Sequence, residues 1–260
     1  MGDAASADGT ALEFWSMAER YYSQDGQDEF LDRFVFKGRK SGFFVEIGAH
    51  DGVRLSNSVF LERERGWRGI CVEPHPKIFQ ELVRNRRSAN VQCCIHSEPG
   101  VVDFSAITGY GQMLSGITNS YTPDHSQRIE SELREHGGSL EKVRVEAKRL
   151  DALLREHGVD DVDYLSIDTE GNELEVLRSI DLREIMVHAI SVEENYRTGS
   201  ISAYLEPRGF CKVNRLGADE IYVHRQGRYR RASKSSGSRV RKYVARVRRR
   251  IRSYLTGPDS

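Results

Sequence analysis

The fold of this chain is decided by the stretch Phe43-Phe44-Val45-Glu46-Ile47-Gly48-Ala49-His50-Asp51-Gly52-Val53-Arg54-Leu55-Ser56-Asn57. Its apolar first third, residues 43–47, predicts a buried β-strand. A glycine-rich turn over residues 48–52 follows, and a helical pattern then continues through Leu55, Val59 and Phe60. Strand, tight glycine turn and helix together form the opening unit of a nucleotide-cofactor fold. We therefore expect a mostly parallel α/β sheet that binds a ligand at this turn.

Two acids beside the glycines, Glu46 and Asp51, indicate what kind of ligand the turn holds. Glycine lets the backbone approach a ligand closely. A pyrophosphate favours bare backbone N–H groups without neighbouring carboxylates. S-adenosylmethionine instead presents a sulfonium, an ammonium and ribose hydroxyls, which suit acidic partners. The pattern favours a methyltransferase, and an ordinary strand-to-helix turn is the alternative that the motif alone leaves open.

The charge of the chain is divided unevenly along its length. Its 260 residues, enough for one large α/β domain, carry 39 basic and 39 acidic side chains. Residues 228–260 hold twelve of the basic residues and one acid, a net of +11, so residues 1–227 carry a net of −11. A basic tail on an acidic body suggests that the tail has an anionic partner of its own.

Cysteine use and the N-terminus predict a cytoplasmic protein. The four cysteines, Cys71, Cys93, Cys94 and Cys211, lack the spacing of a zinc site, and buried reduced thiols are favoured. Residues 1–10 have neither the basic nor the apolar region of a signal peptide. No apolar run approaches the roughly 18 residues that a membrane-spanning helix needs.

Glu73 closes the second predicted strand, Gly69-Ile70-Cys71-Val72-Glu73-Pro74. An acid at this strand end binds ribose hydroxyls in doubly wound sheets, about 20 residues after the glycine turn. We expect that role for Glu73, with a surface carboxylate as the alternative.

A second acidic stretch is Asp163-Tyr164-Leu165-Ser166-Ile167-Asp168-Thr169-Glu170-Gly171-Asn172-Glu173. Its apolar part predicts a strand, and Asp168, Glu170 and Glu173 crowd the carboxyl end. Ligands of open α/β sheets bind outside the carboxyl ends of the strands, so these acids should face the same crevice as Gly48. Helix capping is the alternative, and it accounts for one or two of the acids.

The remaining elements complete a strand–helix alternation with an insertion. Further strands are predicted at residues 91–95, 101–104, 189–195, 209–213 and 220–224, the last two as an adjacent pair that includes one antiparallel member. Residues 107–147 predict a long insertion that includes a helix over residues 127–136 and a strand over residues 143–147. We expect the insertion to act as an acceptor loop or lid, and a disordered loop is the alternative.

The chain is thus divided into an extension over residues 1–20, a domain over residues 21–227 and a basic tail over residues 228–260. Apolar residues recur at helical spacing through residues 239–255, and basic residues fill the other face. A basic amphipathic helix suits an anionic membrane surface, which predicts a peripheral position on the inner face of a membrane. Binding to nucleic acid or to the chain's own domain remains open.

Eight blocks in a consistent order give the sequence a resemblance to a known family. They are Ser23-Gln24-Asp25-Gly26-Gln27-Asp28, residues 42–52, Ser56-Asn57, residues 66–74, Leu114-Ser115-Gly116-Ile117, residues 163–173, Val192-Glu193 and Asp219-Glu220-Ile221-Tyr222. Over about residues 21–224 the chain resembles the FkbM-type S-adenosylmethionine-dependent methyltransferases. The resemblance implies a class I methyltransferase (Rossmann-like) fold: a mostly parallel seven-stranded sheet with helices on both faces. It also implies O-methylation of a sugar, glycan or polyketide-like hydroxyl, while the basic tail lies outside it.

The cofactor site is expected to hold S-adenosylmethionine. Glu73 would bind the ribose hydroxyls. The pocket around the rest of the cofactor would be formed by Glu46, Gly48, Asp51, Gly52 and Asn57.

The chemistry is expected at the second acidic stretch. Asp168 or Glu170 would accept the proton of the acceptor hydroxyl, since crowded acids have raised pKa values. In the alternative, Asp168, Glu193 and Glu194 would hold Mg²⁺, which would lower the pKa of that hydroxyl. His50 and His125 are weaker candidates for the base.

Two other classes of function remain as alternatives. A nucleic-acid methyltransferase recruited by the basic tail is disfavoured, because the acidic body would repel phosphate and no Asn/Asp-Pro-Pro-aromatic motif is present. A non-catalytic scaffold that keeps the fold is the other.

Overall fold

The structure is a computed structural model, and it describes residues 21–232. Its strands are β1 (Phe43–Ile47), β2 (Arg68–Val72), β3 (Ala89–Val91), β4 (Cys94–Ile95), β5 (Gly100–Ile107), β6 (Gly116–Ile117), β7 (Leu140–Lys148), β8 (Asp161–Ile167), β9 (Met186–Glu193), β10 (Phe210–Leu216) and β11 (Asp219–His224). Its helices are Gln27–Phe30, which continues as the π-helical Leu31–Phe36, then Val59–Arg65, Pro76–Asn85, Pro123–His136, Leu150–Glu156, Glu173–Arg178 and Ser200–Leu205.

The main sheet has seven strands in the order β10-β11-β9-β8-β1-β2-β3. Parallel pairing joins β3, β2, β1, β8 and β9. β11 alone runs against both of its neighbours, β9 and β10. The predicted seven-stranded, mostly parallel sheet with one antiparallel member is therefore confirmed.

Both faces of the sheet are covered, as an apolar strand sequence requires. Alternate residues of β1 enter different cores: Val45 and Ile47 lie in one, and Phe44 lies in the other. The first core is closed by helices Leu150–Glu156, Glu173–Arg178 and Ser200–Leu205. The second is closed by the helical segment over residues 27–36 and by helix Val59–Arg65, so the predicted helices on both faces are confirmed.

A second sheet of four strands, in the order β4-β7-β5-β6, was not predicted. The single strand predicted over residues 91–95 is two strands, because the chain leaves the main sheet between Val91 and Cys94. The adjacent Cys93 and Cys94 are both buried, but Cys93 packs in the main core and Cys94 in the core of the second sheet. Much of the predicted insertion is therefore regular structure, including helix Pro123–His136 and β7.

Residues just after the predicted domain boundary pack against the start of β8. Tyr229 donates a hydrogen bond from its hydroxyl to Asp163, at 2.7 Å, and its ring contacts Phe36. Arg228 pairs with Asp161 and Asp163. The predicted extension over residues 1–20 and the predicted tail helix over residues 239–255 lie outside the described residues. Within residues 21–232, no helix is long and apolar enough to span a bilayer.

Candidate functional site

The glycine turn after β1 is fixed by the two strands beside it. The N–H groups of Gly48 and Ala49 both donate to the carbonyl oxygen of Val72, at 3.0 Å each, and the N–H of Asp168 donates to Ile47 at 3.0 Å. Gly48 has a φ of 82°, and a Cβ atom there would lie 1.7 Å from the carbonyl oxygen of Asp168. Only glycine fits this position, and the carboxyl ends of β1 and β8 meet there as predicted.

Glu46 lies under the turn, in a closed set of hydrogen bonds. Its carboxylate accepts from the N–H of Asn57 at 2.8 Å and from the hydroxyls of Ser56 and Ser58. The fully buried guanidinium of Arg86 lies 3.1 Å from it. Arg86 also donates to the carbonyl oxygen of Gly52 at 3.1 Å, so one arginine ties Glu46 to the turn. Glu46 therefore holds the shape of the turn.

Asp51 closes the turn from the other side. Its Oδ1 atom accepts from the N–H groups of Val53 and Arg54 at 2.8 and 2.7 Å. Burial alone would raise the pKa of Asp51, but the His50 ring, whose Nδ1 atom lies 3.7 Å away, and the hydrogen bonds from the N–H groups of Val53 and Arg54 lower it below its usual value. Asp51 is therefore a fixed anion that shapes the backbone.

Glu73 lies at the end of β2, next to the turn, as predicted. One carboxylate oxygen accepts from the N–H of His50 at 2.9 Å, and the other accepts from the N–H of His75 at 2.8 Å. The residue is buried, and this burial raises its pKa. Each oxygen keeps a further lone pair, which a ribose hydroxyl could use.

Two clefts meet at the glycine turn. The first contains about 690 Å³ of open space, its mouth included, and extends from Glu73 between the two sheets. Its far end is apolar and is lined by Val72, Ile78, Cys93, Ile95 and Phe104. The second contains about 590 Å³ and is polar.

Gly48, His50, Met113 and Asp168 line both clefts and mark where they join. Met113 belongs to the 3₁₀ turn Tyr110–Leu114 within the predicted acceptor loop. Both ring nitrogens of His50 are buried without a hydrogen-bond partner. Unpaired buried polar atoms at a cleft junction are expected where a ligand completes the site.

Side chains far apart in sequence line the second cleft. Gln27 Nε2 donates to Asp219 Oδ2 at 2.8 Å, across 192 residues of chain. Asn57 is buried and donates to Ser166 at 3.1 Å, while its Oδ1 atom has no partner. Gln27 and Asp219 were not predicted as site residues, although both lie in the blocks that carry the family resemblance. No shorter pattern in the sequence indicates them.

Asp168, Glu170 and Glu193 form a carboxylate cluster at the ends of β8 and β9. One oxygen of each lies within 4.8 Å of the others. Burial and the neighbouring negative charges raise the pKa of all three side chains. Burial and the charge of Asp168 also raise the pKa of Asp219, to about 8. The cluster therefore favours proton binding, or a cation, over three separate negative charges.

Glu170 is held toward the cluster by an unusual backbone. Its φ is 56°, and the N–H of the following Gly171 is bound by the Glu173 carboxylate at 2.9 Å. Its Oε2 atom is 3.8 Å from His125 Nδ1 and makes no hydrogen bond. His125 Nε2 lies 3.3 Å from the carbonyl oxygen of Leu114, so Nε2 carries the ring proton. Burial lowers the pKa of His125, which leaves Nδ1 unprotonated beside Glu170.

Glu194 does not join this cluster. Its Oε1 atom accepts from Thr198 Oγ1 at 2.8 Å and from the N–H of Gly199 at 2.7 Å. Of the predicted magnesium ligands, the structure brings together Asp168 and Glu193 and adds Glu170 in place of Glu194.

Comparisons with known proteins match the chain to methyltransferases. A family model described as the methyltransferase FkbM domain matches residues 46–244. The chain is 29% identical to "Methyltransferase sdnD" of Sordaria araneosa, over 65% of this chain and 73% of that protein. It is 27% identical to "Methyltransferase 1" of Beauveria bassiana (strain ARSEF 2860), over 65% and 72%.

A solved structure, methyltransferase FkbM from Methylobacillus flagellatus KT, aligns with a TM-score of 0.43 at 14% identity. The alignment covers 82% of this chain and 50% of that one.

Proposed function

The chain belongs to the FkbM methyltransferase family, an S-adenosylmethionine-dependent family, and from that premise we propose that it methylates a hydroxyl oxygen. The acceptor is a sugar, a glycan or glycolipid, or a polyketide-like small molecule. One observation carries the proposal: Asp168, a carboxylate suited to take up a proton, lines both clefts at their junction beside the glycine turn. A proton acceptor at this place is what transfer to a hydroxyl requires.

The residues around the turn fit S-adenosylmethionine on three grounds. Gly48 carries no side chain and lines both clefts, the His50 ring nitrogens make no hydrogen bond, and Glu73 has free lone pairs. When bound, the cofactor supplies an electrophilic methyl group on a sulfonium. In this assignment Glu73 holds the ribose hydroxyls, and the apolar end of the first cleft takes the adenine.

The other predicted cofactor residues act around the amino-acid end of the cofactor. Gly48 and Gly52 keep the backbone close, and Asp51 fixes that backbone through two N–H groups. Asn57 offers its unpaired Oδ1 atom to the ammonium group. Glu46 acts indirectly, because Arg86 and the serines occupy its oxygens.

Transfer to a hydroxyl also requires a group of the acid cluster to take up the proton of that hydroxyl. Asp168 would accept the proton of the acceptor hydroxyl, while the hydroxyl oxygen takes the methyl group that the sulfonium sulfur gives up. Burial and neighbouring negative charges raise the pKa values of Glu170 and Glu193 above that of Asp168, so Asp168 is the carboxyl group of the three that ionises first. The Tyr110–Leu114 turn, through Met113, covers the junction and excludes water that would compete with the acceptor.

Magnesium is an alternative way to activate the hydroxyl. Asp168, Glu170 and Glu193 offer oxygen ligands within 4.8 Å, and Oε2 of each glutamate is unpaired. Hard divalent cations prefer such ligands. Loss of activity in chelator, restored by Mg²⁺, would favour the metal, whereas full activity in chelator would leave Asp168 as the unaided base.

A labelled-methyl assay tests the proposed function. The full chain is incubated with S-adenosylmethionine labelled in its methyl group and with a panel of sugars, glycosides and hydroxylated polyketide-like compounds. We expect label in an alkali-stable O-methyl ether. Label in an amine, in RNA or in no product, from a folded protein that binds the cofactor, contradicts transfer to a hydroxyl.

Membrane attachment of the basic segment over residues 239–255 is a separate proposal, which charge and spacing alone support. Flotation of the full chain and of a chain lacking residues 233–260 with anionic liposomes tests it. Equal flotation of the two proteins would reject it.

A further inference from the structure

A third cleft reaches the acid cluster from outside. It contains about 610 Å³ of open space, its mouth included, and lies between the loop after β9 and the start of helix Pro123–His136. Glu170 and Glu193 line it, but Gly48 and His50 do not. Asp168 does not line it either, but one of its oxygens lies within 4.8 Å of an oxygen of each glutamate, so a hydroxyl that reaches the glutamates is close to Asp168. A donor that occupied the first two clefts would therefore leave this approach to the carboxylates open.

The loop at the mouth of this cleft is anchored. Glu194 binds Thr198 and Gly199 through its side chain, as described above, and its carbonyl oxygen accepts from Arg215 at 2.8 Å. Tyr196 lies between these anchors and is 44% exposed. Because the backbone on both sides of Tyr196 is held, only the side-chain torsions of Tyr196 remain to be fixed when a ligand packs against its ring.

The lining of the third cleft combines apolar and hydrogen-bonding groups. Tyr196, Leu174 and Ile201 supply apolar surface, and Thr122 and Ser200 supply hydroxyls. An aromatic ring packs well against the C–H face of a saturated ring, while hydroxyl groups and carboxyl groups bind the hydroxyls at its edge. The cleft therefore fits a ring that has one apolar face and a hydroxylated rim.

Charge restricts the ligand further. Four glutamates line the cleft, and no lysine or arginine does so among the described residues. The histidine on its wall, His125, stays neutral because burial lowers its pKa. A phosphate, sulfate or carboxylate would add negative charge beside carboxyl groups that already repel one another, and Arg128, whose charge acts on Glu170, does not line the cleft.

We infer that the third cleft is the acceptor site, that it takes an uncharged hydroxylated ring, and that Tyr196 determines this specificity by packing against the ring. The inference rests on the proposed function, because it states where and in what form the acceptor of that reaction binds. It adds a selection against anionic acceptors that the glycine turn and the acid cluster do not themselves impose.

Ligand-observed NMR tests this site with defined probes. The full chain is saturated with S-adenosylhomocysteine, and saturation transfer is measured to methyl glucoside, methyl glucuronide and glucose 6-phosphate. We expect transfer to the neutral glycoside and none to the two anions. Equal transfer to neutral and anionic probes, or no transfer to the neutral one, would overturn the inference.

Two variants locate the binding. Tyr196→Ala should reduce transfer to methyl glucoside at least about fivefold, as expected for loss of one aromatic contact. Val83→Ala is the control, since Val83 is an apolar side chain that is 48% exposed and does not line the third cleft. Unchanged transfer in Tyr196→Ala, or an equal loss in both variants, would contradict the assignment.

Calorimetry with S-adenosylhomocysteine separates the two proposals. If the wild-type chain fails to bind it, the proposed function fails. If the wild-type and both variants bind it with equal affinity and methyl glucoside still does not bind, only the acceptor site fails.

Discussion

The glycine turn and the acid cluster lie next to each other but are built in opposite ways. Around the turn, the carboxylates of Glu46, Asp51 and Glu73 are each held by backbone N–H groups or by Arg86. In the cluster, Glu170 and Glu193 each keep an unpaired buried oxygen. A satisfied network gives a rigid platform, whereas unpaired groups gain their partners from a ligand. The comparison suggests that the turn binds and the cluster reacts.

Gly48→Ala should have the largest effect, because the added methyl group would collide with the end of β8, where the glycine turn and the acid cluster meet. The added Cβ would lie 1.7 Å from the carbonyl oxygen of Asp168, at a φ of 82°. We expect destabilisation by more than about 4 kcal/mol, which places it among the exceptional single substitutions. Gly66→Ala is the control, since Gly66 also has a positive φ but no atom within 4 Å, and should cost only about 1 kcal/mol. Urea unfolding measures both, and equal losses would contradict the close approach.

Arg86→Met should have the next largest effect, because it disrupts the hydrogen-bond network around Glu46 and the glycine turn and leaves the acid cluster unchanged. It leaves the buried Glu46 and the half-buried Glu62 without their cation, and removing one member of a buried ion pair costs about 3 kcal/mol or more. Arg84→Met, at an exposed position in helix Pro76–Asn85 two residues before Arg86, should change the unfolding free energy by less than about 0.5 kcal/mol. If Arg86→Met were as stable as the wild type, the turn would not depend on this network.

Asp168→Asn should change the acid cluster and leave the glycine turn intact. We expect kcat to fall by roughly 10² to 10⁴, the usual contribution of a general base, while S-adenosylhomocysteine binds as before. The unfolding free energy should not fall, because the change removes charge from crowded carboxylates. Unchanged kcat would reject Asp168 as the base, and loss of cofactor binding would instead place it in the donor site.

Asp219→Asn changes how the unfolding free energy depends on pH, and near neutral pH it should have the smallest effect of these variants. Burial, together with the nearby charges of Asp168 and Asp25, raises the pKa of Asp219 to about 8, although Gln27 and Arg215 act against this. The folded state thus binds this proton more tightly than the unfolded state, where the pKa is about 4. The resulting stability is present below about pH 4 and is lost as pH rises through about 8.

The variant should therefore lose less stability than the wild type between pH 7 and pH 8, by about 1 kcal/mol. The asparagine keeps an oxygen for Gln27 to donate to. Asp103→Asn, at an exposed position, is the control and should follow the wild type. Identical pH dependence of Asp219→Asn and the wild type would contradict the raised pKa.

The sequence predicts β1, the glycine turn and Glu73 well, because the patterns that indicate them lie within short stretches of the chain. An apolar run followed by glycines gives β1 and its turn, and the spacing to Glu73 gives the second wall. The acids after β8 are likewise adjacent in sequence, and the parallel sheet brings them to the same edge. The two adjacent strand patterns at residues 209–213 and 220–224 predict one antiparallel member, whereas the order of the strands in the sheet was not predicted.

The features that the sequence does not predict depend on contacts between residues that are far apart in the chain. Arg86 meets Glu46 across 40 residues, and no pattern in either segment indicates it. The second sheet joins β4 to β7, more than 40 residues apart in sequence, so residues 91–95 read as one strand until their partners are known. Glu194 follows Glu193 directly in sequence, yet its carboxylate points away from the cluster and accepts hydrogen bonds from Thr198 and Gly199. The direction of its side chain depends on the course of the backbone after β9, which the sequence pattern does not indicate.

Calorimetry of S-adenosylhomocysteine binding tests the central claim most directly: the turn with Glu73 binds the donor, and the acid cluster does not. We predict one site in the wild type, at least about tenfold weaker binding in Glu73→Ala because charged hydrogen bonds are lost, and unchanged binding in Asp168→Asn. No binding to the folded wild type, or equal affinity in the wild type and Glu73→Ala, would contradict the account.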